Sequence, residues 1–224
     1  MALGRNRLLS TTARSLLHFA RRRPDADYPS IIINSISVKK LLELVGANQL
    51  AALSDWLTGE VERLAKARAD FALFASNTPH IVFDEVARRS PIPLISIVEA
   101  TCKVARVMSL KNAGLFGTRF TMQGGFYSKV FAEAGIAVTV PHPEEQAFIH
   151  EKYTVELLNN IIRPETRAAL LAIAEQMKQR DGIQALILGG TELPLILKDD
   201  VAAGVPFLDT TQIHAREAAK WMLQ

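Results

Sequence analysis

The stretches ADFALFASNTP at residues 69–79 and IQALILGGTELP at residues 183–194 share one sequence pattern. In each, an apolar run ends in small and polar residues, which predicts a buried strand followed by a turn. The first copy continues with IPLISIVEATCKVAR at 92–106, and the second with VPFLDTTQIHAREAA at 205–219. Ser76 precedes Pro93 by 17 positions and Gly190 precedes Pro206 by 16. We infer an internal repeat whose two halves share an ancestor.

Apolar strands alternate with helical patterns along the chain, which indicates parallel sheets covered on both faces. We predict an α/β fold of two pseudo-symmetric domains, residues 1–98 with 209–224 and residues 99–208. Because ligands of open α/β sheets bind beyond the carboxyl ends of strands, we expect the site in the interdomain cleft. The patterns predict strands at 28–35, 70–76, 93–97, 113–117, 136–140, 184–188 and 205–208, and helices at 10–23, 38–67 (broken near Gly46), 77–89, 99–108, 121–134, 144–160, 164–179 and 211–223.

The composition of the 224 residues, 49% hydrophobic and 22% charged, is that of a folded globular protein. No apolar run approaches the length that a membrane helix needs, so no membrane partner is expected. The one cysteine, Cys102, excludes an intrachain disulfide and fits a reducing, cytoplasmic setting. It falls in a helical run, where a lone cysteine is usually a small buried hydrophobe.

The positive charge is local. Residues 1–24 hold six arginines and no acid, and since the whole chain carries +3, the remainder carries −3. This distribution argues against a nucleic-acid groove. Two readings of the basic start stay open: a first helix with a basic solvent face, or a transit peptide.

Three turns after predicted strands carry polar groups that could hold a ligand. They are Ser76-Asn77-Thr78, the stretch Gly117-Thr118-Arg119-Phe120-Thr121, and Gly189-Gly190-Thr191-Glu192. Backbone N–H groups where a helix begins favour a carboxylate or phosphate. For each turn a structural role competes: Asn77 or Thr78 caps a helix, Arg119 is a surface cation, and the paired glycines serve tight packing.

The histidines show no metal-ligand spacing, so we predict no metal. His80 and His214 each lie just beyond a predicted site turn, where a buried structural histidine is the competing interpretation. No nucleotide-binding motif is present, so no nucleotide cofactor is expected.

Four stretches together resemble the aspartate/glutamate racemase family. They are SNTPH at 76–80, GLFGTRFTM at 114–122 followed by Phe126-Tyr127, LILGGTEL at 186–193 and LDTTQIHA at 208–215, in the order of the family's motifs. The resemblance implies a cofactor-independent enzyme in which two thiols exchange the α-proton of an acidic amino acid. It also implies a homodimer.

By position, the resemblance assigns the two thiols to Ser76 and Gly190, neither of which is a cysteine. A serine hydroxyl is a much weaker base than a thiol, and glycine offers no base at all. We therefore expect a protein that binds a small carboxylate or acidic amino acid, with isomerase- or lyase-type chemistry carried by Ser76, His80, Glu192 or His214. Asn77, Thr78, Gly117, Thr118, Arg119, Thr121 and Thr191 are the expected binding residues. The alternative is a catalytically inactive carboxylate-binding or regulatory protein.

Overall fold

The structure, a computed structural model, describes residues 5–25, 27, 29–198, 201–202 and 204–223. The chain divides into two compact units. Unit 1 comprises Met1–Ile97 and His214–Gln224, and unit 2 comprises Val98–Ile213. Both contain parallel strands and helices, so the predicted α/β class is confirmed.

Unit 1 is mostly helical around a small parallel sheet. Its strands β1 and β2 pair in parallel, Ala72 with Leu94 and Leu73 with Ile95. Their bounds are β1 (Ala72–Leu73) and β2 (Leu94–Ile95), and the helices are α1 (Arg5–Arg22), α2 (Val38–Gly46), α3 (Leu50–Lys66), a 3-10 helix (Thr78–Val82) and α4 (Phe83–Arg89).

The helices of unit 1 bury stripes that repeat every four residues, as the helical period requires. In α3, Leu53, Leu57 and Val61 are at most 2% exposed. In α1, Thr11 and Ser15 are buried, and the Ser15 hydroxyl donates to the Thr11 carbonyl at 3.0 Å. A polar stripe can be buried there because this hydroxyl finds a backbone partner.

The strand predicted at 28–35 is wrong for the residues that the structure describes. Residues 29–37 have no regular structure, and Tyr28 lies outside the described residues. Ile32 and Ile33 are 44% and 46% exposed. β-branched residues favour a pleated, half-buried surface rather than an extended backbone as such. In the described part of the chain, this segment has no strand to pair with.

Unit 2 is built on a five-stranded sheet in the order β4-β3-β5-β7-β6, parallel except for β6 against β7. The strands are β3 (Asn112–Gly117), β4 (Ala137–Thr139), β5 (Ala185–Gly189), β6 (Val201–Ala202) and β7 (Val205–Asp209). The helices are α5 (Ile97–Val107), α6 (Arg119–Gln123), α7 (Phe126–Glu133), α8 (Pro143–Val155), a 3-10 helix (Leu157–Asn159), α9 (Pro164–Asp181), α10 (Leu193–Ile196) and α11 (Thr210–Trp221), with α5 and α11 crossing the unit boundaries.

The single helix predicted over 121–134 is instead two helices, α6 and α7. Gly124 and Gly125 separate them, and Gly125 has a left-handed backbone with φ of 72°. A Cβ on Gly124 would lie 2.5 Å from the Phe120 carbonyl oxygen. Both positions therefore require glycine, and the chain turns there.

The core of unit 2 lies between the sheet and helices α8 and α9. Phe116 and Leu186 of the sheet pack with Ile149 of α8 and Met177 of α9, and all four are at most 1% exposed. Because β3, β5 and β7 are parallel, their carboxyl ends meet at one edge of this sheet. Of the described helices, none is long and apolar enough to cross a membrane.

Candidate functional site

The turn after β1 places Ser76, Asn77 and Thr78 in unit 1. Ser76 is partly exposed, whereas Asn77 and Thr78 are buried. Asn77 stands at the start of the 3-10 helix, yet its side chain makes no capping hydrogen bond. The capping role that competed with ligand binding is therefore not filled by the Asn77 side chain.

His80 joins the backbones of two turns in unit 1. The Ile97 N–H donates to its Nε2 at 3.1 Å, so its Nδ1–H donates to the Ser76 carbonyl at 3.1 Å. Its ring stacks on Phe83, with centroids 4.9 Å apart and an interplanar angle of 4°. Burial, assisted by the neighbouring His214, lowers the pKa of His80 to about 3. A neutral imidazole with both nitrogens engaged fits a residue that positions Ser76.

His214 lies beside His80, with ring centroids 6.3 Å apart. Its Nε2 donates to the Ile95 carbonyl at 3.0 Å. Burial lowers the pKa of His214 to about 4. Its buried Nδ1 has no hydrogen-bond partner among the described residues. This atom is a neutral acceptor at ordinary pH.

In unit 2, the turn after β3 contains two buried hydroxyls. Thr118 caps α6, since its Oγ1 accepts the Thr121 N–H at 3.3 Å. The oxygens Oγ1 of Thr118 and Oγ1 of Thr121 lie 3.2 Å apart. A Cβ on Gly117 would lie 2.8 Å from the Gly189 carbonyl oxygen. Gly117 is therefore explained by the close approach of β3 and β5.

Arg119 is exposed and borders a cavity of about 470 Å³ in unit 2. Its backbone N–H donates to Nδ1 of His150 at 3.3 Å. Burial, followed by the charge of Arg119, lowers the pKa of His150. The cavity is lined by Arg119, Gln123, Pro143, Gln146, Ala147, His150, Glu151 and Thr154.

The turn after β5 holds a buried carboxylate. Glu192 is 7% exposed, and its Oε2 accepts from the Thr191 hydroxyl at 2.9 Å and from the Tyr153 hydroxyl. Gly190 lies against the ring of Tyr153: a Cβ at this position would be 2.4 Å from Cε2. Because Gly117 pairs with Gly189, this turn and the turn after β3 are neighbours at one sheet edge.

Tyr153 was not among the sequence-predicted site residues. It lies in α8, and nothing around it in the sequence marks it as different from an ordinary buried aromatic. The one available signal was Gly190 itself, because a strand-end glycine often admits a neighbouring group. Cys102 is buried in α5, with Sγ 3.9 Å from the Val130 carbonyl oxygen. Burial raises the pKa of its thiol.

The described residues contain no group of three or more His, Cys, Asp or Glu side chains that could hold a metal ion. Of the predicted site residues, unit 1 contains Ser76, Asn77, Thr78, His80 and His214. Unit 2 contains Gly117, Thr118, Arg119, Thr121, Gly190, Thr191 and Glu192.

The sequence and the structure are similar to those of several racemases and racemase homologues. The sequence pattern of the Asp/Glu/hydantoin racemase family matches residues 10–218. The broad-specificity amino-acid racemase RacX of Bacillus subtilis is 25% identical over 169 residues, 72% of this chain and 68% of that protein. A crystal structure of an Asp/Glu racemase candidate from Yersinia pestis superimposes with a TM-score of 0.89 at 26% identity, covering 99% of this chain and 96% of that one. An aspartate racemase homologue from Pyrococcus horikoshii gives 0.77 at 29% identity, covering 96% of each.

Proposed function

Because the chain belongs to the Asp/Glu/hydantoin racemase family, we propose that it binds a small carboxylate, an acidic amino acid or a related diacid. The hydroxyl pair of Thr118 and Thr121 carries this proposal. One hydrogen bond between the two oxygens uses one of their two protons. The other proton can donate to a ligand oxygen, and buried hydroxyls of this kind bind carboxylates well.

We propose that Ser76 and Gly190 occupy the positions of the family's two thiols. The chain's one cysteine, Cys102, is buried in α5 and cannot supply a pair. Racemisation needs an acid or base on each face of the α-carbon. The proposed chemistry is therefore one-sided proton transfer, as in an isomerase or lyase, rather than two-thiol racemisation.

An inactive carboxylate-binding protein is the second candidate, and the two histidines favour it. Both are buried and neutral, and both ring nitrogens of His80 already serve the backbone. Both nitrogens of His80 and Nε2 of His214 are thereby committed to structure, and of the two rings only Nδ1 of His214 is left to accept a proton. Turnover distinguishes the two candidates, since the second predicts binding alone.

Titration calorimetry with the wild type tests the proposal. The panel is L- and D-aspartate, L- and D-glutamate, and L- and D-malate. Binding of at least one panel member is expected. Failure of all six to bind at millimolar concentration would refute the proposed function. Conversion of a bound panel member, followed by NMR, would refute the inactive alternative.

A further inference from the structure

We infer that Tyr153 and Glu192 form a proton-transfer pair that takes the place of the side chain missing at Gly190. This inference rests on the proposed function, since it names the groups that carry its one-sided chemistry. All of the residues involved belong to unit 2.

The geometry at Gly190 places the phenol where a side chain at this position would project. A Cβ on Gly190 would be 2.4 Å from Cε2, 2.9 Å from Cζ and 2.9 Å from Oη of Tyr153. Such distances are far below van der Waals contact, so the ring fills the space that any other residue would use. The Tyr153 hydroxyl oxygen, 2.9 Å from this Cβ position, therefore lies in the space that a side chain of residue 190 would occupy.

The partner of this phenol is a carboxylate, which can accept its proton. Glu192 follows Gly190 by two residues, and its Oε2 accepts from Tyr153 and from Thr191. Both Tyr153 and Glu192 are buried, at 2% and 7% exposure. Buried charge-assisted hydrogen bonds are strong and hold their partners in one orientation.

Tyr127 of the same unit provides the contrast. It is equally buried, but its hydroxyl bonds with the hydroxyls of Thr101 and Thr210. Burial raises the pKa of Tyr127, and neither threonine can act as a base for it. A tyrosine that serves only to satisfy its own hydroxyl needs no carboxylate partner. The pairing with Glu192 at a strand-end turn therefore points to proton transfer.

The pair performs a relay of two proton transfers. The Cα–H bond of the bound carboxylic acid breaks, its proton passes to Oη of Tyr153, and the phenolic proton moves to Oε2 of Glu192. The electron pair of the broken bond delocalises into the substrate carboxylate. Return of a proton along the same route restores the substrate on the same face. In D₂O, the proton that Tyr153 received from the substrate exchanges with solvent, and the deuteron that Tyr153 then carries is returned to the α-carbon.

Exchange of the α-proton in D₂O tests the pair, with the six-member panel followed by NMR and chiral chromatography. We expect the wild type to exchange one enantiomer with retention of configuration. Tyr153→Phe keeps the ring against Gly190 and should lower the exchange rate by about 100-fold or more, as loss of an acid/base group does. Glu192→Gln should lower it similarly, with calorimetric affinity unchanged. Tyr127→Phe is the matched control and should exchange at the wild-type rate.

Binding and exchange together separate the proposed function from the proton-transfer pair. Absence of binding by the whole panel refutes the proposed function, and this inference falls with it. Binding without exchange by the wild type, or undiminished exchange by folded Tyr153→Phe, overturns the inference and leaves the binding function standing. Circular dichroism and thermal unfolding test whether both variants fold. If Tyr153→Phe does not fold, the Glu192→Gln variant decides in the same way.

Discussion

The backbone of Gly190 lies so close to the Tyr153 ring that a Cβ at residue 190 would overlap Cε2 at 2.4 Å. Gly190 does not adopt the left-handed backbone that often explains a glycine, since the positive-φ glycines of the described chain are Gly125, Gly135, Gly182 and Gly204. The requirement for glycine is therefore steric and arises from one neighbouring ring.

Gly190→Ala should destabilise the protein, because overpacking a buried site costs roughly 1–3 kcal/mol. In a Tyr153→Ala background the same change should cost nothing, since the ring is gone. Chemical denaturation of the four proteins measures this coupling. Gly59→Ala is the control: nothing lies within 4 Å of its Cβ position in α3, and alanine there should gain up to about 1 kcal/mol. Equal losses in both backgrounds would contradict the steric explanation.

Introducing a cysteine at both proposed thiol positions requires space for a side chain at residue 190. The wild type should not racemise aspartate or glutamate. Ser76→Cys with Gly190→Cys should fold poorly, whereas adding Tyr153→Ala makes room and should give at least trace two-face exchange. The measurement is deuterium uptake into both enantiomers in D₂O. Racemisation by the wild type, or a folded triple variant that binds but exchanges nothing, would show that the assignment of the thiol positions is mistaken.

Thr118→Ala should weaken binding of the panel member with the highest affinity. Loss of a hydroxyl that donates to a charged group costs roughly 1.5–3 kcal/mol, which calorimetry resolves easily. Thr166→Ala removes another buried hydroxyl of unit 2, one that donates to Glu156 at 2.6 Å. This control should lose stability but keep its affinity. Equal affinity in Thr118→Ala and the wild type would remove Thr118 from the binding site.

The buried histidines make stability depend on pH. The folded pKa values of His80 and His214, about 3 and about 4, lie below the ordinary value of 6.5. Between pH 6.5 and these folded pKa values, the two histidines therefore bind more protons in the unfolded chain than in the folded chain. Their contribution lowers the free energy of unfolding as the pH falls below 6.5. Each unit of this range costs about 1.4 kcal/mol per histidine.

His80→Gln should flatten this slope between pH 6.5 and 4, as measured by urea denaturation at several pH values. An identical slope in His80→Gln and the wild type would mean that folding does not lower the pKa of His80.

Light scattering should give a mass of twice the 24.7 kDa chain at micromolar concentration. The expectation comes from the family resemblance, and Ile32 and Ile33, 44% and 46% exposed, are neighbouring apolar residues that a dimer interface would cover. A mass near that of a single chain would reject the dimer.

The periodic parts of the fold could be predicted from the sequence. The strand predicted at 184–188 is β5 (Ala185–Gly189), because a buried parallel strand is a continuous apolar run. The strand predicted at 28–35 failed because pairing depends on a neighbour that local composition does not specify. The helix predicted at 121–134 failed at Gly124 and Gly125, whose effect depends on the backbone around them.

The candidate site was predictable only where its residues lie close together in the sequence. Thr118 and Thr121 follow one strand, so their hydroxyls could be expected at its end. Tyr153 and Glu192 are 39 residues apart, and no local pattern links them. The hydrogen bonds of both His80 nitrogens with the backbone could not be predicted either, because the Ile97 amide is 17 residues away in the sequence.

The single thiol of this chain also has a practical consequence for spectroscopy. Because Cys102 is buried and its raised pKa keeps it protonated, maleimide dyes should react with it slowly. A cysteine introduced at Val107, which is 86% exposed, would then be the preferred attachment point without removal of the native residue. A fluorophore placed there would label the protein at one known position without disturbing a buried side chain.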